Sequence, residues 1–550
     1  MQPAPASPPQ PSLTRTIAVA ALLIAAGNVA SRVIGLAREA VIAGAFGRGA
    51  EVAAFTAASA VPTILYDLLV NGAISAALVP VFSAYAEQDE AELWRVAWTV
   101  FTIALVALSA VCALLMWQAE VVVALLAGGF APELRGLTVR MTRLLLPSAV
   151  LMGLSGLITA LLYARQRFLL PAFTTSAFNL GIIAGALILT PLLGPLSLVA
   201  GVLLGSALQV ALQLPGLRGM RRGTGGGSAG GAGAAAAGTA GTAARGRSAA
   251  VAASFQVDVR HPGVRRILRL YAPVALGIGF SVAGIVLDRN LASRLEASAI
   301  PTMRYATTLI QLPLGLVAAA VSFAVLPTLS RQAEARDEGA FRATLAMGIK
   351  VVLLLVLPAA AGLAALGLPV ARLLFERGAF GAQDSLATAR ALLLYLPGLP
   401  AAAVDQMLLF AFYARQRTLA PNLVQGAAIG IYAATALTLL AGGLRVEALI
   451  LGNTAQWVGH MLLLLLLARG LVDLRGLRVG EALLKCGVAS LALFAATWGV
   501  ARLLGPGASP LAQLALAGTA GAAAYVGACL ALRVEPLAFF VAAVRRRMGW

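Results

Sequence analysis

The chain has 550 residues, 60% of them hydrophobic and 11% charged, with a mean hydropathy of +0.89, whereas soluble domains carry about 45–50% apolar and about 25% charged residues. An ordinary soluble globule is excluded. Each crossing of about 30 Å of hydrocarbon takes roughly 20 apolar residues and must close its own backbone hydrogen bonds, so the repeated apolar runs here mean helices of a polytopic membrane protein. The net charge of +19 points to topology rather than to nucleic acid, because the basic residues mostly separate the apolar runs.

Residues 1–15, "MQPAPASPPQPSLTR", are Pro-rich and are expected to form a disordered tail. The apolar stretch after Arg15 has signal-peptide character, but it continues into "SRVIGLAREAVIAGAFG", so cleavage is not expected. About fourteen apolar spans follow, near 16–46, 52–84, 94–118, 140–163, 171–193, 196–216, 268–295, 299–330, 343–367, 387–413, 419–441, 446–468, 480–504 and 511–533. Between the sixth and seventh, the Gly/Ala-rich, Arg-studded tract 217–262 cannot bury a core and reads as a linker. It is the most basic loop, and the positive-inside rule therefore assigns it, the N-terminus six spans earlier and the tail "RRRMGW" to the cytoplasm.

The same pattern is written twice. "YARQR" occurs at 163–167 and 413–417, an offset of 250 shared by Pro147 and Pro397. "AISAALVPVFSAYAEQDEAELWR" at 73–95 echoes "AVSFAVLPTLSRQAEARDEGAFR" at 320–342 at an offset of 247. An even number of helices per copy makes the copies parallel. The expected fold is all-α, with two parallel six-helix lobes (16–216 and 263–470) and a terminal helix pair with a basic tail (471–550). Two such lobes are the architecture of a rocking transporter with its cavity at the seam. "YARQR" itself reads as an interfacial anchor, and the acidic "AEQDEAELWR" as a solvated loop.

Ionisable groups at bilayer depth cost about 2.5–3.5 kcal/mol each and tend to face a cavity or a partner. They gather in the first two helices of each lobe. The first span carries Ser31, Arg32, Arg38 and Glu39, and Gly35 allows a bend that aims both arginines at one cavity. The second carries Asp67 and Asn71, one helical turn apart. The seventh carries Asp288, Arg289 and Asn290, and the eighth has Arg304, Thr308 and Gln311 on one stripe. Lys350 and Asp405 are further charges at depth. A purely structural reading pairs them off, Arg38 with Asp67 for example. An arginine-lined cavity instead suits a phosphate-bearing substrate, since guanidinium offers paired donors and keeps its charge.

Three cysteines in apolar segments and two distant histidines argue against a disulfide framework or a metal site. With no G-x-x-x-x-G-K-[ST] and only Lys350 and Lys485, ATP hydrolysis is not expected.

Together, "SRVIGLAREAVIAGAFG", "VPTILYDLLVNGAISAALVPVFSAY", "LDRNLASRL", "YATTLIQLPLGL" and "LFERGAF" resemble the MurJ (MviN) family of lipid II flippases in the MOP exporter superfamily. The resemblance implies a non-enzymatic, multi-pass protein of the bacterial cytoplasmic membrane, monomeric, with both termini cytoplasmic. Its function would be alternating-access transfer of a polyprenyl-diphosphate glycolipid, lipid II, to the outer leaflet. Ser31, Arg32 and Arg38 match the family's first-helix motif, and Glu39 conservatively replaces an acidic neighbour. A family arginine aligns with Thr308, where Arg304, one turn away, supplies the charge. The headgroup site would comprise Ser31, Arg32, Arg38, Glu39, Asp67, Asn71, Arg289, Arg304 and Gln311. No cofactor is implied. Asp288 and Asp405 are candidates for a coupling cation, sodium or proton, with membrane potential as the competing energy source. The rival readings are export of another polyprenyl-linked glycan and a polyprenyl-phosphate glycosyltransferase.

Overall fold

A computed structural model describes residues 13–68, 77–218, 258, 260–315, 319–417, 419–469 and 476–537. Asn71, most of the 217–262 linker, most of the N-terminal tail and the "RRRMGW" tail lie outside the described residues. In chain order the first half contains α1 (Leu13–Phe46), α2 (Ala50–Tyr66), α3 (Val79–Gln88), α4 (Glu90–Trp117), α5 (Ala119–Ala127), α6 (Pro132–Ala164), α7 (Thr174–Ala184) and α8 (Leu196–Arg218). The second half contains α9 (Pro262–Ser293), α10 (Ala299–Pro313), α11 (Ala319–Glu334), α12 (Glu338–Phe375), α13 (Ala382–Tyr395), α14 (Gly398–Ala414), α15 (Leu419–Ala441) and α16 (Val446–Ala468). The terminal pair is α17 (Val479–Leu504) and α18 (Pro510–Ala531). Among the described residues there is no strand, and nine helices are long and apolar enough to cross a membrane, with α13 and α14, bent by 50°, making a tenth.

The described residues of the expected spans are largely helical, and the tenth is bent between α13 and α14. π-type turns follow α2 and α10, beginning at Asp67 and at Leu314, 247 positions apart like the echoed segments. In the first half α6 is the hub, packed by α2, α4 and α8. There α7 lies so close to α8 that a Cβ on Gly181 would stand 2.3 Å from Cα of Gly205, the small-residue contact that lets apolar helices gain dispersion energy without a hydrophobic drive. In the second half α12 is the hub for α11, α13 and α14 and also carries α17 and α18. Lys350 on α12 pairs with Glu535 just beyond α18 at 2.6 Å, and Tyr525 on α18 donates to the Leu354 carbonyl of α12.

The two duplicated motifs turn out to bind each other. Asp89 and Asp337 cap the N-termini of α4 and α12, accepting from Ala91 N at 2.8 Å and Ala340 N at 2.9 Å. The next residue in each case pairs with the "YARQR" of its own half: Glu90 with Arg165 at 2.9 Å, and Glu338 with Arg415. Gln166 and Gln416 take left-handed φ values of 56° and 57°, which ends α6 and α14 in the same way. The acidic segment is therefore a capped, ion-paired helix start and not a solvated loop. The middle arginines, expected at the membrane interface, turn to a protein carboxylate held at a helix N-terminus, where the helix dipole favours the acid.

The halves meet at both ends. On the side away from the basic loops, Ala379 N donates to Gly44 O at 2.8 Å, Tyr305 Oη to Gly47 O at 2.9 Å, and Arg48 pairs with Asp384 at 2.7 Å. Gly378 (φ +57°) approaches so tightly that a Cβ would lie 2.2 Å from Gly44 O. On the basic side the first turns of α9 lean on the first half. Val264 and Ile267 are buried with Val96 and Phe82, and His261, the α9 cap, meets Glu92 at 2.8 Å.

Candidate functional site

Between these closures lies a cavity of about 660 Å³, lined from α1 by Asn28, Ser31, Arg32, Gly35, Leu36, Arg38 and Glu39 and from α7 by Thr175, Phe178 and Asn179. The second half supplies Arg289 from α9 and Arg304, Thr307, Thr308 and Gln311 from α10. Four arginines against one glutamate give the lining a net charge of +3. Pockets of a few hundred to a thousand Å3 with convergent polar groups are the usual size for ligands.

The charges divide into two kinds. Glu39 is 1% exposed and is the counter-ion of two guanidinium groups from opposite halves. Arg38 donates to its Oε1 from Nη2 at 2.6 Å, and Arg304 donates from Nε to Oε2 and from Nη2 to Oε1, both at 2.8 Å. Arg304 also donates to Thr56 at 2.8 Å and lies over the Phe55 ring, while Arg38 reaches Asn179 at 2.8 Å. These contacts make a cross-seam strut. In contrast, Arg32 donates to the neutral Gln311 at 3.0 Å, with its guanidinium against the Gly315 backbone. Neither Arg32 nor Arg289 forms an ion pair among the described residues. Beside protein, an anion is attracted to such groups more strongly than in bulk water.

Of the sequence-expected site, Ser31, Arg32, Arg38, Glu39, Arg289, Arg304 and Gln311 line this one cavity. Arg38 pairs with Glu39 and not with Asp67. Asp67, in the π turn that follows α2, is not among the lining residues. Asn179, which holds Arg38 and donates to the Ser31 carbonyl at 3.3 Å, escaped the sequence reading; a lone asparagine within an apolar span was the available signal.

The coupling candidates lie elsewhere in the second half. Asp288 accepts from Tyr432 Oη at 2.8 Å and Asn453 Nδ2 at 3.0 Å. Asp405 meets His460 Nδ1 at 2.6 Å. No group of three or more His, Cys, Asp or Glu side chains is placed to hold a metal among the described residues.

Comparison with known proteins follows this geometry. A family model described as "Lipid II flippase MurJ" matches residues 42–510. The "Lipid II flippase MurJ" of Burkholderia cenocepacia is 30% identical over 432 residues, covering 76% of this chain and 77% of that protein. The "Probable lipid II flippase MurJ" of a Synechocystis strain is 29% identical, covering 74% and 73%. In fold, the chain is similar to a structure titled "Lipid II flippase MurJ, inward closed conformation", with a TM-score of 0.73 and 22% identity over 93% of this chain and 99% of that one. A multidrug resistance MATE family transporter of the MOP superfamily in an inward-facing conformation follows at a TM-score of 0.63 and 13% identity, over 84% and 98%. On the breadth of the family-model match and the sequence identity to its curated relatives, this chain belongs to the MurJ lipid II flippase family.

Proposed function

We propose that the chain carries a lipid-linked peptidoglycan precursor of the lipid II class from the cytoplasmic to the outer leaflet of the bacterial cytoplasmic membrane by alternating access. The observation that carries this reading is the pair of guanidinium groups, Arg32 and Arg289, which line a cavity at the seam of two halves and form no ion pair among the described residues. A diphosphate supplies negative charge, and bidentate guanidinium contacts hold it in orientation. Ser31, Asn28, Thr307, Thr308 and Gln311 provide neutral hydrogen-bonding groups for sugar hydroxyls. The polyprenyl tail stays in the bilayer beside α17 and α18. No bond is made or broken. The chain acts as a monomer, with both termini in the cytoplasm.

Release of the Gly44–Ala379 and Arg48–Asp384 contacts opens the outer side while α9 closes the inner one, and the Glu39 strut re-forms as the empty carrier returns. Uphill transfer draws on a cation bound at Asp288 or Asp405, or on the membrane potential acting on the cavity arginines at about 2.3 kcal/mol per charge per 100 mV.

The test is complementation. A walled bacterium depleted of its own lipid II flippase is supplied with this chain, and precursor exposed on the outer leaflet is measured. Restored exposure, lost in Arg32→Ala at equal protein level, is the expected result. Failure by a well-inserted wild-type protein transfers the reading to another anionic polyprenyl-linked glycan.

A further inference from the structure

The internal duplication supplies a control for one buried pair, Asp405 and His460, whose aspartate the transport reading leaves as one of two coupling candidates. "GSALQ" at 205–209 in α8 corresponds to "GNTAQ" at 452–456 in α16, an offset of 247 that places Gln213 opposite His460. The offset of 250 between α6 and α14 places Ser155 opposite Asp405 and Thr159 opposite Leu409. The same two helices are thus bridged at the same level in both halves, with different chemistry.

In the first half the bridge is neutral and satisfied. Gln213 Nε2 donates to Ser155 Oγ at 2.7 Å and to the Ser155 and Gln209 carbonyls at 3.2 and 3.1 Å, and its Oε1 accepts from Thr159 Oγ1 at 3.0 Å. In the second half the bridge is a carboxylate and an imidazole, joined at 2.6 Å. The threonine that satisfied the far end has become Leu409, and His460 Nε2 is buried with no hydrogen-bond partner among the described residues, on a residue 7% exposed. Helix packing does not demand this arrangement, since the first half packs the same helix pair without it, and an orphaned buried nitrogen is destabilising.

We propose that Asp405 and His460 form a proton-carrying site that couples proton movement to lipid transfer. This deepens, and rests on, the transport function proposed above. With Nδ1–H donating to the carboxylate, the pair carries a charge of −1 and an open lone pair on Nε2. A proton delivered by water from the acidic side binds there and makes an imidazolium–carboxylate pair of zero net charge; on the other side it returns to water, restoring the −1 state. A net charge buried in a low dielectric is disfavoured, so the protonated pair tolerates the dry packing of α14 on α16 and the deprotonated pair favours its hydration. Proton occupancy thereby biases the packing of the second half.

The ionisable groups on the surrounding helices are mostly engaged elsewhere. On α14, Tyr413 interacts electrostatically with Asp405. On α12, Lys350 is held by Glu535. On α15, Tyr432 is engaged with Asp288. On α16, Glu447 lines a separate pocket with Arg48, Arg390 and Arg445. On α11, Arg331 is exposed and bonded back to the Pro327 carbonyl.

The test uses the full chain in proteoliposomes with lipid II, the membrane potential clamped and a gradient of one pH unit imposed. One unit biases a proton-coupled step by at most tenfold, and initial transfer rates of the wild type are expected to change by at least about threefold. In Asp405→Ser/His460→Gln, which copies the neutral bridge of the first half, the ratio of rates with and without gradient falls to one. Transfer by the wild type that ignores the gradient overturns the proton site and leaves the flippase reading intact. A second measurement needs no transport: the chain has only two histidines, so histidine-labelled protein in detergent gives two sets of NMR resonances, and the set missing in His460→Gln belongs to His460. A change of its protonation state on acidification, lost in Asp405→Asn, is expected. A His460 signal that stays in one protonation state throughout overturns the proposal even if lipid transfer is absent.

Discussion

The two halves share a skeleton to within a few residues and differ in where they keep charge. Both are built on a hub helix, both carry a π turn in their second span, and both end the fourth span with an ion pair to the start of the third, Arg165 with Glu90 and Arg415 with Glu338. The first half holds its charge at the seam, in Arg32, Arg38 and Glu39 on α1, and bridges α6 to α8 with the neutral Ser155–Gln213 pair. The second half keeps ionisable groups inside itself, Asp288 under Tyr432 and Asp405 on His460. Duplication supplied a common frame, and the polar residues were then distributed unequally: substrate charge at the seam, titratable groups in one half.

The sharpest way to break this comparison is at Glu39. Glu39→Gln removes the buried counter-charge of two partly buried guanidinium groups from opposite halves, and breaking a fully buried pair costs about 3–5 kcal/mol. A large fall in the thermal unfolding midpoint of purified protein, together with loss of lipid transfer, is expected; an unchanged midpoint would show the strut to be dispensable.

Arg32 should behave in the opposite sense. Its neutral partner means that Arg32→Ala leaves the unfolding midpoint in place while slowing transfer by tenfold or more, about 1.4 kcal/mol or more at the rate-limiting step. Transfer at the wild-type rate would remove this residue from the headgroup site.

The outer closure comes next. Gly378→Ala places a side chain at φ +57°, a penalty of about 1–2 kcal/mol, and drives its Cβ into the Gly44 carbonyl. Spin-label distances across the outer face should lengthen as the closed form loses population, and an unchanged distribution would show that the backbones separate without cost to closure. The smallest effect tests the symmetry itself. Glu90→Gln and Glu338→Gln should each lower stability by less than about 1 kcal/mol, the usual worth of a partly exposed pair, and by similar amounts; a large inequality in unfolding midpoints would mean that one half relies on its latch and the other does not.

Much of this was legible in the sequence, for reasons that differ by residue. The spans were visible because bilayer thickness imposes a length on apolar runs. The duplication was visible because its motifs keep fixed offsets. That "YARQR" and the acidic segment touch was not visible, since the partners lie about 75 positions apart and nothing in either motif names the other. Arg32 and Arg38 announced themselves as charges where charge is expensive. The Glu39–Arg304 strut was hidden because it crosses from one half to the other over 265 positions. Asp67, read as part of one face of a continuous rod, lies in a π turn and not in the cavity lining. Ser155 and Gln213 passed unremarked as ordinary polar residues; only their counterparts Asp405 and His460 give them meaning.

The docking of the last two helices also breaks the symmetry. Because α17 and α18 are fastened mainly to α12, by Lys350–Glu535 and Tyr525–Leu354, they are passengers of one half. Any hydrocarbon chain resting along them would be towed with that half as it swings, while the headgroup is gripped from both flanks. The carrier's stroke would then pull the two ends of its cargo along different arcs.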